Sequence, residues 1–173
     1  TGGTCAIYGL DNWNKLFTDR QLLALATFSD LLPDVREKIL VEGARLPANG
    51  IRLRDGGSGL EAYADAVITY LAFALDRSAN SWSSIATWSD QGFVRPVFSK
   101  QAIPMTWDFA EVNPFSSSTG NWLGAIDWIV QALRNLPTNS VGATAQRDAR
   151  ARIDELGKSV IATDPPYYDN ISY

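Results

Sequence analysis

The apolar residues between positions 18 and 42 recur mostly at helical spacing, three or four residues apart. Thr18 and Gln21 form a capping-box pattern, which predicts that a helix begins at this point. Pro33 predicts the end of that helix, because proline donates no backbone hydrogen bond. It also suits the first turn of a following helix, which Gly43 would end. The pattern therefore predicts two helices that meet at the proline.

The strongest helical pattern follows a loop predicted over residues 47–59. Ser58 and Glu61 form a second capping-box pattern at its start. Apolar side chains lie on one face of this helix and aromatic side chains on another, so we expect it to be buried on most sides. The apolar face holds Leu60, Ala64, Val67, Ile68, Leu71 and Leu75, and the aromatic face holds Tyr63, Tyr70 and Phe73.

A further helix is predicted after Gly120, with one apolar stripe along its length. Its apolar positions are Trp122, Ile126, Ile129 and Leu133. The tryptophans of the chain are spread at similar spacing, which favours a place in the core over a role as stacking platforms for bases. This expectation covers Trp82, Trp88, Trp107, Trp122 and Trp128.

The composition changes after a predicted hinge at residues 137–139, and strand-like and helical segments then alternate. The alternation predicts a strand, a short helix and a second strand, which cover residues 141–146, 148–156 and 159–163. A connection of this kind favours parallel, right-handed pairing. The sequence thus predicts a fold that is mainly α with a small α/β part. We place a mostly helical region at 1–138 and the parallel strand–helix–strand segment at 139–173.

The amino-acid composition limits the kinds of reaction and site that this chain can contain. At 173 residues, 46% hydrophobic and 20% charged, the chain is long enough for one globular core. No apolar run approaches the roughly 18 residues of a membrane span, and no signal-peptide pattern is visible. Cys5 is the single cysteine, which excludes an internal disulfide and a multi-cysteine zinc site. Histidine is absent, which disfavours hydrolase triads and most zinc hydrolases. We expect a cytoplasmic protein with no membrane or metal partner.

The second predicted strand runs into Asp164, Pro165, Pro166 and Tyr167. This sequence resembles the catalytic motif of amino-group DNA methyltransferases, which use S-adenosyl-L-methionine to methylate an exocyclic nitrogen of adenine or cytosine. The chemistry needs acceptors for the two N–H hydrogens of a weakly nucleophilic amino group. The Asp164 carboxylate and the Pro165 carbonyl, which the paired prolines hold rigidly, suit that role. Tyr167 offers a ring on which a flipped base can stack.

Two other interpretations of these residues stay open. The prolines fit a strand that simply ends in a rigid turn. Residues 165–168 also match a Pro-Pro-x-Tyr ligand for aromatic-lined peptide-recognition grooves, which requires an exposed extended segment. The apolar residues before the motif argue against such exposure. The rival functional class is a non-catalytic helical interaction domain that uses the motif as a ligand or as a turn.

A second block, Trp107–Phe115, is followed by Ser116–Gly120 and imitates a cofactor-binding loop. Serines replace the glycines that would let the backbone approach a cofactor, and Asn113 replaces an acidic residue. The sequence therefore favours a structural or substrate-facing loop. Asp108 and Glu111 fit hydrogen-bonded loop anchors better than an acid–base pair.

Together with the opening residues 8–23, these two motifs resemble a family of large adenine-specific DNA methylases that carry a domain of unknown function at the amino end. The resemblance implies an incomplete methyltransferase domain at 139–173, preceded by a helical insertion. It implies that Asp148 and Ala149 contact the adenine part of S-adenosyl-L-methionine and that the glycine-rich cofactor motif lies upstream of this chain. It also implies that this chain is part of a longer enzyme, which methylates adenine at N6.

Charge bears on the DNA partner that the resemblance implies. The net charge is −4, and the 15 lysines and arginines form no dense basic cluster. Arg147, Arg150 and Arg152 are the nearest basic residues to the motif, and on a short helix they fit a solvated face. We therefore expect the contact with DNA to be made through the full-length protein.

Overall fold

The computed structural model describes residues 3–43, 45–98, 103, 105–137, 142, 146, 148, 150, 160 and 162–164. The chain divides into two compact units, Thr1–Leu136 and Pro137–Tyr173. The described part is mainly helical, with three α-helices and no named strand in the residues the structure covers. The helices are α1 (Asp19–Glu42), α2 (Leu60–Ala79) and α3 (Trp122–Asn135), all in the first unit. Short 3₁₀ helices occupy Gly3–Tyr8, Trp13–Leu16 and Leu53–Asp55.

Helix α1 begins at the predicted capping box, which the structure confirms. The Thr18 hydroxyl accepts a hydrogen bond from the Gln21 backbone N–H at 3.3 Å, and the Gln21 side-chain oxygen accepts one from the Thr18 N–H at 2.9 Å. The predicted break at Pro33 is wrong, because the helix continues through it to Glu42. Proline removes one backbone donor from the helix interior, and contacts between α1 and α2 offset that loss.

Helix α2 packs against both α1 and α3. Its predicted cap at Ser58 is wrong: Gly59 is the N-cap residue, and no side chain caps the helix. The prediction of burial on most sides is also wrong. The predicted apolar face is buried or half-buried, whereas the aromatic face of Tyr63, Tyr70 and Phe73 is exposed.

Helix α3 begins where the pattern predicts. The Asn121 side chain caps it by accepting a hydrogen bond from the Gly124 N–H at 2.6 Å. The prediction that the tryptophans lie in the core is confirmed for Trp82, which is buried. Trp122 is half-buried. It is wrong for Trp88, Trp107 and Trp128, which are exposed. The Trp128 ring instead lies 4.4 Å from the Arg77 guanidinium, a cation–π contact at the surface.

The core of the first unit is shared between α2 and the loops that follow it. A buried cluster joins the 3₁₀ turn before α1 to this loop region, and an isolated antiparallel bridge pairs Trp88 with Val94. The cluster consists of Leu16, Ile85, Ala86, Val94 and Val97. A second, aromatic cluster forms around Phe28 of α1, whose ring centroid lies 4.7 Å from that of Trp122 and 5.5 Å from that of Trp82. These contacts connect α1, α3 and the loop after α2.

The second unit contains few described residues. Gly142, Gln146, Val160 and residues 162–164 are not assigned to a strand, and most of the predicted strand–helix–strand segment lies outside the described residues. Val160 is 99% exposed, so the burial that a core strand needs is not found at this side chain. The strand–helix–strand unit and the boundary at residue 138 stay predictions. None of the described helices is long and apolar enough to cross a membrane.

Candidate functional site

Asp164 is the one residue of the predicted catalytic motif that the structure describes, and it is exposed. Pro165, Pro166 and Tyr167 lie outside the described residues. The two preceding residues, Ala162 and Thr163, are exposed as well. The carboxylate of Asp164 is therefore open to solvent in this chain, and the arrangement of the predicted acceptors stays a prediction.

Asp148, predicted to contact the cofactor, forms a compact ion pair with a neighbouring arginine. Its Oδ2 accepts a hydrogen bond from Arg150 Nη2 at 2.8 Å, and its Oδ1 accepts from Arg150 Nε at 3.2 Å and from the Arg150 backbone N–H at 2.9 Å. Arg150 thereby lowers the pKa of the Asp148 carboxyl. Ala149 lies outside the described residues. Both side chains of this ion pair are exposed, and the contact of Asp148 with S-adenosyl-L-methionine stays a prediction.

The block from Trp107 to Phe115 is a loop, as the replaced glycines predict. Asp108 accepts a hydrogen bond from the Phe109 N–H at 2.8 Å, and Asn113 accepts one from the Phe115 N–H at 3.0 Å. Glu111 accepts a hydrogen bond from Arg20 Nη2 at 2.6 Å, which ties the loop to the first turn of α1. Asp108 and Glu111 thus act as loop anchors, and Trp107 at 94% exposed contributes little to the core.

A cleft of about 370 Å³ lies between the first turns of α1 and this loop. Arg20 and Glu111 form a charged pair at its edge, and Gln21 contributes a polar group. The rest of the wall is mostly apolar and consists of Ala24, Trp82, Val112, Asn113 and Pro114. A volume of this size is near the lower limit of small-molecule sites, and the mixture of apolar wall and few polar groups is typical of them.

Gln21 is the unusual residue of this cleft. It is only 4% exposed, and its Nε2 has no hydrogen-bond partner, although its Oε1 is held by the Thr18 backbone. A buried donor without a partner costs about 1–3 kcal/mol. The sequence identified Gln21 only as a capping residue, because nothing in the local pattern shows that it also lines a cleft with residues ninety positions away.

A larger depression of about 460 Å³ lies between the end of α2 and the start of α3. Several of its polar side chains have partners within the chain. The Asn80 side-chain oxygen accepts hydrogen bonds from the backbone N–H groups of Val97 at 2.7 Å and Phe98 at 2.8 Å. The Ser78 hydroxyl donates to the Ala74 carbonyl at 2.9 Å. These groups therefore stabilise the fold, and this depression shows no comparable demand for a ligand.

Asp65 of α2 is the one buried carboxylate with a strongly shifted pKa in the part of the chain the structure describes. Its oxygens accept hydrogen bonds from Arg52 Nε at 2.6 Å, Arg36 Nε at 2.9 Å and the Leu53 N–H at 3.1 Å. The Arg52 bond, followed by that of Arg36, outweighs desolvation and holds the pKa of Asp65 far below its usual range. Because Asp65 links α1, α2 and the intervening loop, we assign it a structural role. No group of three or more potential metal ligands occurs among the described residues.

No family model, curated protein or solved structure matches this chain. The resemblance to adenine-specific DNA methylases therefore rests on the sequence motifs alone.

Proposed function

We propose that this chain is a segment of an S-adenosyl-L-methionine-dependent DNA amino-methyltransferase that acts on adenine N6. The observation that carries the proposal is the Asp164-Pro165-Pro166-Tyr167 sequence after an apolar segment. The exposure of Asp164 supports it, because the carboxylate is accessible to an incoming base. The cofactor would be held mainly by polypeptide outside this chain, since the serine-rich turn after Phe115 lacks the glycines of a cofactor loop.

The proposed residues act on the amino group of the base. Asp164 and the Pro165 carbonyl accept hydrogen bonds from its two N–H groups, which favours tetrahedral geometry and localises the lone pair on nitrogen. Pro166 restricts the backbone, so the Pro165 carbonyl keeps its direction during the reaction. Tyr167 stacks on the base and offsets part of the few kcal/mol that extrusion from the duplex costs.

The test is an Asp164→Ala substitution in the full-length protein, assayed by transfer of a labelled methyl group to DNA. Loss of one preorganised hydrogen-bond partner of the reacting group typically lowers kcat by about 10² to 10³, so we expect a loss of at least this size. Asp90→Ala is the matched control, because it removes an exposed carboxylate in the first unit. Equal activity of the Asp164→Ala protein and the control would overturn the proposal.

The second candidate function is a non-catalytic interaction domain whose Pro-Pro-Tyr-Tyr segment docks into an aromatic-lined groove. The exposure of Val160 and Asp164 favours this candidate, because a peptide ligand must be accessible. Tyr168→Ala separates the two functions, since Tyr168 is the tyrosine of the Pro-Pro-x-Tyr pattern. Loss of binding to a groove-bearing domain in Tyr168→Ala, with Asp164→Ala unaffected, would establish the interaction domain. Loss of methylation in Asp164→Ala, with Tyr168→Ala unaffected, would establish the enzyme.

A further inference from the structure

We propose that Asn49 is a site of spontaneous covalent modification, at which the backbone nitrogen of Gly50 attacks the side-chain amide and displaces ammonia. Asn49 and Gly50 form the single Asn-Gly pair of the chain. They lie in the loop before α2, outside the Asp164–Tyr167 motif, so the inference stands apart from the proposed catalytic function.

The structure holds the Asn49 side chain against the residue that follows it. Asn49 is exposed, and its Oδ1 accepts a hydrogen bond from the Ile51 N–H at 3.2 Å, so the side-chain carbonyl spans Gly50. The Asn49 N–H donates to Glu61 Oε2 at 3.3 Å, which holds the backbone on the other side. Among the described residues, the Gly50 N–H donates to no acceptor. The attacking nitrogen is therefore free, and the carbonyl that it attacks is held in position.

Glycine at position 50 favours the attack in two ways. It has no side chain to obstruct its own nitrogen, and a Cβ built there would meet nothing within 4 Å, so water reaches the site. Its φ of +71° lies in the left-handed region, which glycine adopts without strain. Attack places negative charge on Asn49 Oδ1, and the Ile51 N–H that already donates to this atom stabilises the charge.

The reaction needs only water and a base from solution. The base takes the proton of the Gly50 nitrogen, and that nitrogen forms a bond to Asn49 Cγ. The bond from Cγ to Nδ2 then breaks, and ammonia leaves with a proton taken from water. The product of this step is a cyclic succinimide. Water opens the succinimide at either of its carbonyls and leaves aspartate or isoaspartate at position 49.

Isoaspartate would disturb the contact between this loop and the start of α2. The Leu60 N–H donates to the Pro47 carbonyl at 3.0 Å, which supplies a partner for the first turn of the helix. Asn49 also packs on Gly59, since a Cβ built on Gly59 would lie 2.8 Å from Asn49 Oδ1. Isoaspartate inserts a methylene into the main chain two residues after Pro47. We therefore expect the Leu60 amide to exchange faster with solvent in the isoaspartyl chain.

The test follows the amide at position 49 by mass spectrometry. The purified 173-residue chain is incubated at mildly alkaline pH and cleaved with trypsin, which releases residues 46–52 as one peptide. We expect an acid in place of the Asn49 amide, an isoaspartyl form among the products, and a rate that rises with pH. No acid at position 49 would overturn the proposal.

Asp55→Asn is the matched control, because it places a second amide before a glycine in the same loop. Asp55 is exposed, but the Gly56 N–H donates to the Leu53 carbonyl at 3.0 Å, and attack must first break this bond. We expect the new amide to react at least about fivefold more slowly than Asn49, as the loss of one backbone hydrogen bond implies. In urea the two amides should react at similar rates.

Equal rates at the two positions in the folded chain, or the same ratio of rates in urea, would overturn the structural argument. If Asp55→Asn does not fold, as judged by circular dichroism, the wild-type chain decides the question. Asn49 should react in the folded chain at least as fast as in urea, and a slower reaction would refute the proposal.

Hydrogen exchange tests the effect on α2. The deamidated chain, isolated by ion-exchange chromatography, is compared with Asn49→Asp, which has the same charge and an ordinary backbone. Leu60 should exchange faster in the deamidated chain than in Asn49→Asp. Equal exchange would overturn the proposed effect of isoaspartate on the start of the helix.

Discussion

Replacing Asp65 by alanine removes the acceptor that holds three parts of the first unit together. The Asp65 side chain is 10% exposed, and its partners come from α1, from the loop before α2 and from the backbone of Leu53. After the substitution, the Arg36 side chain, which is 16% exposed, keeps, among the described residues, a long contact with Glu37 at 3.4 Å. A buried guanidinium is thereby left without its main partner.

The expected loss in the free energy of unfolding follows from the exposure of Arg36 and Arg52. Removal of one partner from a buried ion pair costs about 3–5 kcal/mol. The Arg52 side chain is 42% exposed and regains water after the substitution, which places the estimate at the lower end. We therefore expect the free energy of unfolding to fall by about 3 kcal/mol at pH 7. For a protein of this size the melting temperature should fall by about 6–12 °C.

The pH dependence of the free energy of unfolding gives an independent check on the contribution of Asp65. The pKa of Asp65 is lowered in the folded state, mainly by Arg52, so the unfolded chain binds a proton at a higher pH than the folded one. The stability that Asp65 contributes is complete above the unfolded-state pKa near 3.9 and is lost as the pH falls below it. At pH 2.5 the difference between the wild-type chain and Asp65→Ala should be smaller by about 2 kcal/mol.

Urea unfolding followed by circular dichroism measures these differences. Adding Arg36→Met to the Asp65→Ala chain should recover about 1–2 kcal/mol, because it removes the unpaired cation. Asp90→Ala is the control: its carboxylate lies 3.5 Å from an exposed arginine and should change stability by less than about 0.5 kcal/mol. A cost for Asp65→Ala below about 1 kcal/mol, or a cost independent of pH, would refute the reasoning.

Three further substitutions test the backbone. Gly120→Ala should cost about 1–3 kcal/mol, because φ is +79° and the new Cβ would lie 3.1 Å from Val112 Cγ2. Gly9→Ala, with φ +84° but no atom within 4 Å, should cost less in the same urea experiment, and equal costs would contradict the packing argument. Pro33→Ala should stabilise the chain by about 1–2 kcal/mol, because alanine restores the missing donor within α1. A loss of stability on this change would show that Pro33 contributes a contact that outweighs the bond.

The helices were predictable where local chemistry decides them. Thr18 and Gln21 carry a complete capping box in four residues, and the structure forms it. The break at Pro33 was not predictable, because its outcome depends on contacts between α1 and α2 from residues about thirty positions apart. The cap at Ser58 failed for a similar reason. The Leu60 backbone N–H donates to the Pro47 carbonyl at 3.0 Å, and this loop contact supplies a partner at the start of α2 without a side-chain cap.

The candidate cleft shows a stricter limit of sequence analysis. Arg20 and Glu111 are separated by 91 positions, and neither belongs to a motif that predicts their 2.6 Å contact. The loop from Trp107 to Phe115 was recognised as distinctive, but only the fold places it beside α1. By contrast, the chemistry proposed for Asp164 follows from residue types that are adjacent in sequence. Local motifs therefore indicate a reaction, whereas the cleft follows from tertiary contacts.

The exposed apolar side chains connect the two candidate functions. Tyr63 and Phe73 on α2, together with Leu123 and Trp128 on α3, leave apolar area open to solvent. Side chains of this kind mark a surface that contacts other polypeptide where they form a contiguous patch. Either function requires such contact, since a methyltransferase segment needs the rest of its domain and an interaction domain needs a partner. Exposure alone therefore cannot separate them, and the contrast between Asp164→Ala and Tyr168→Ala is the decisive comparison, because each function depends on a different one of these two side chains.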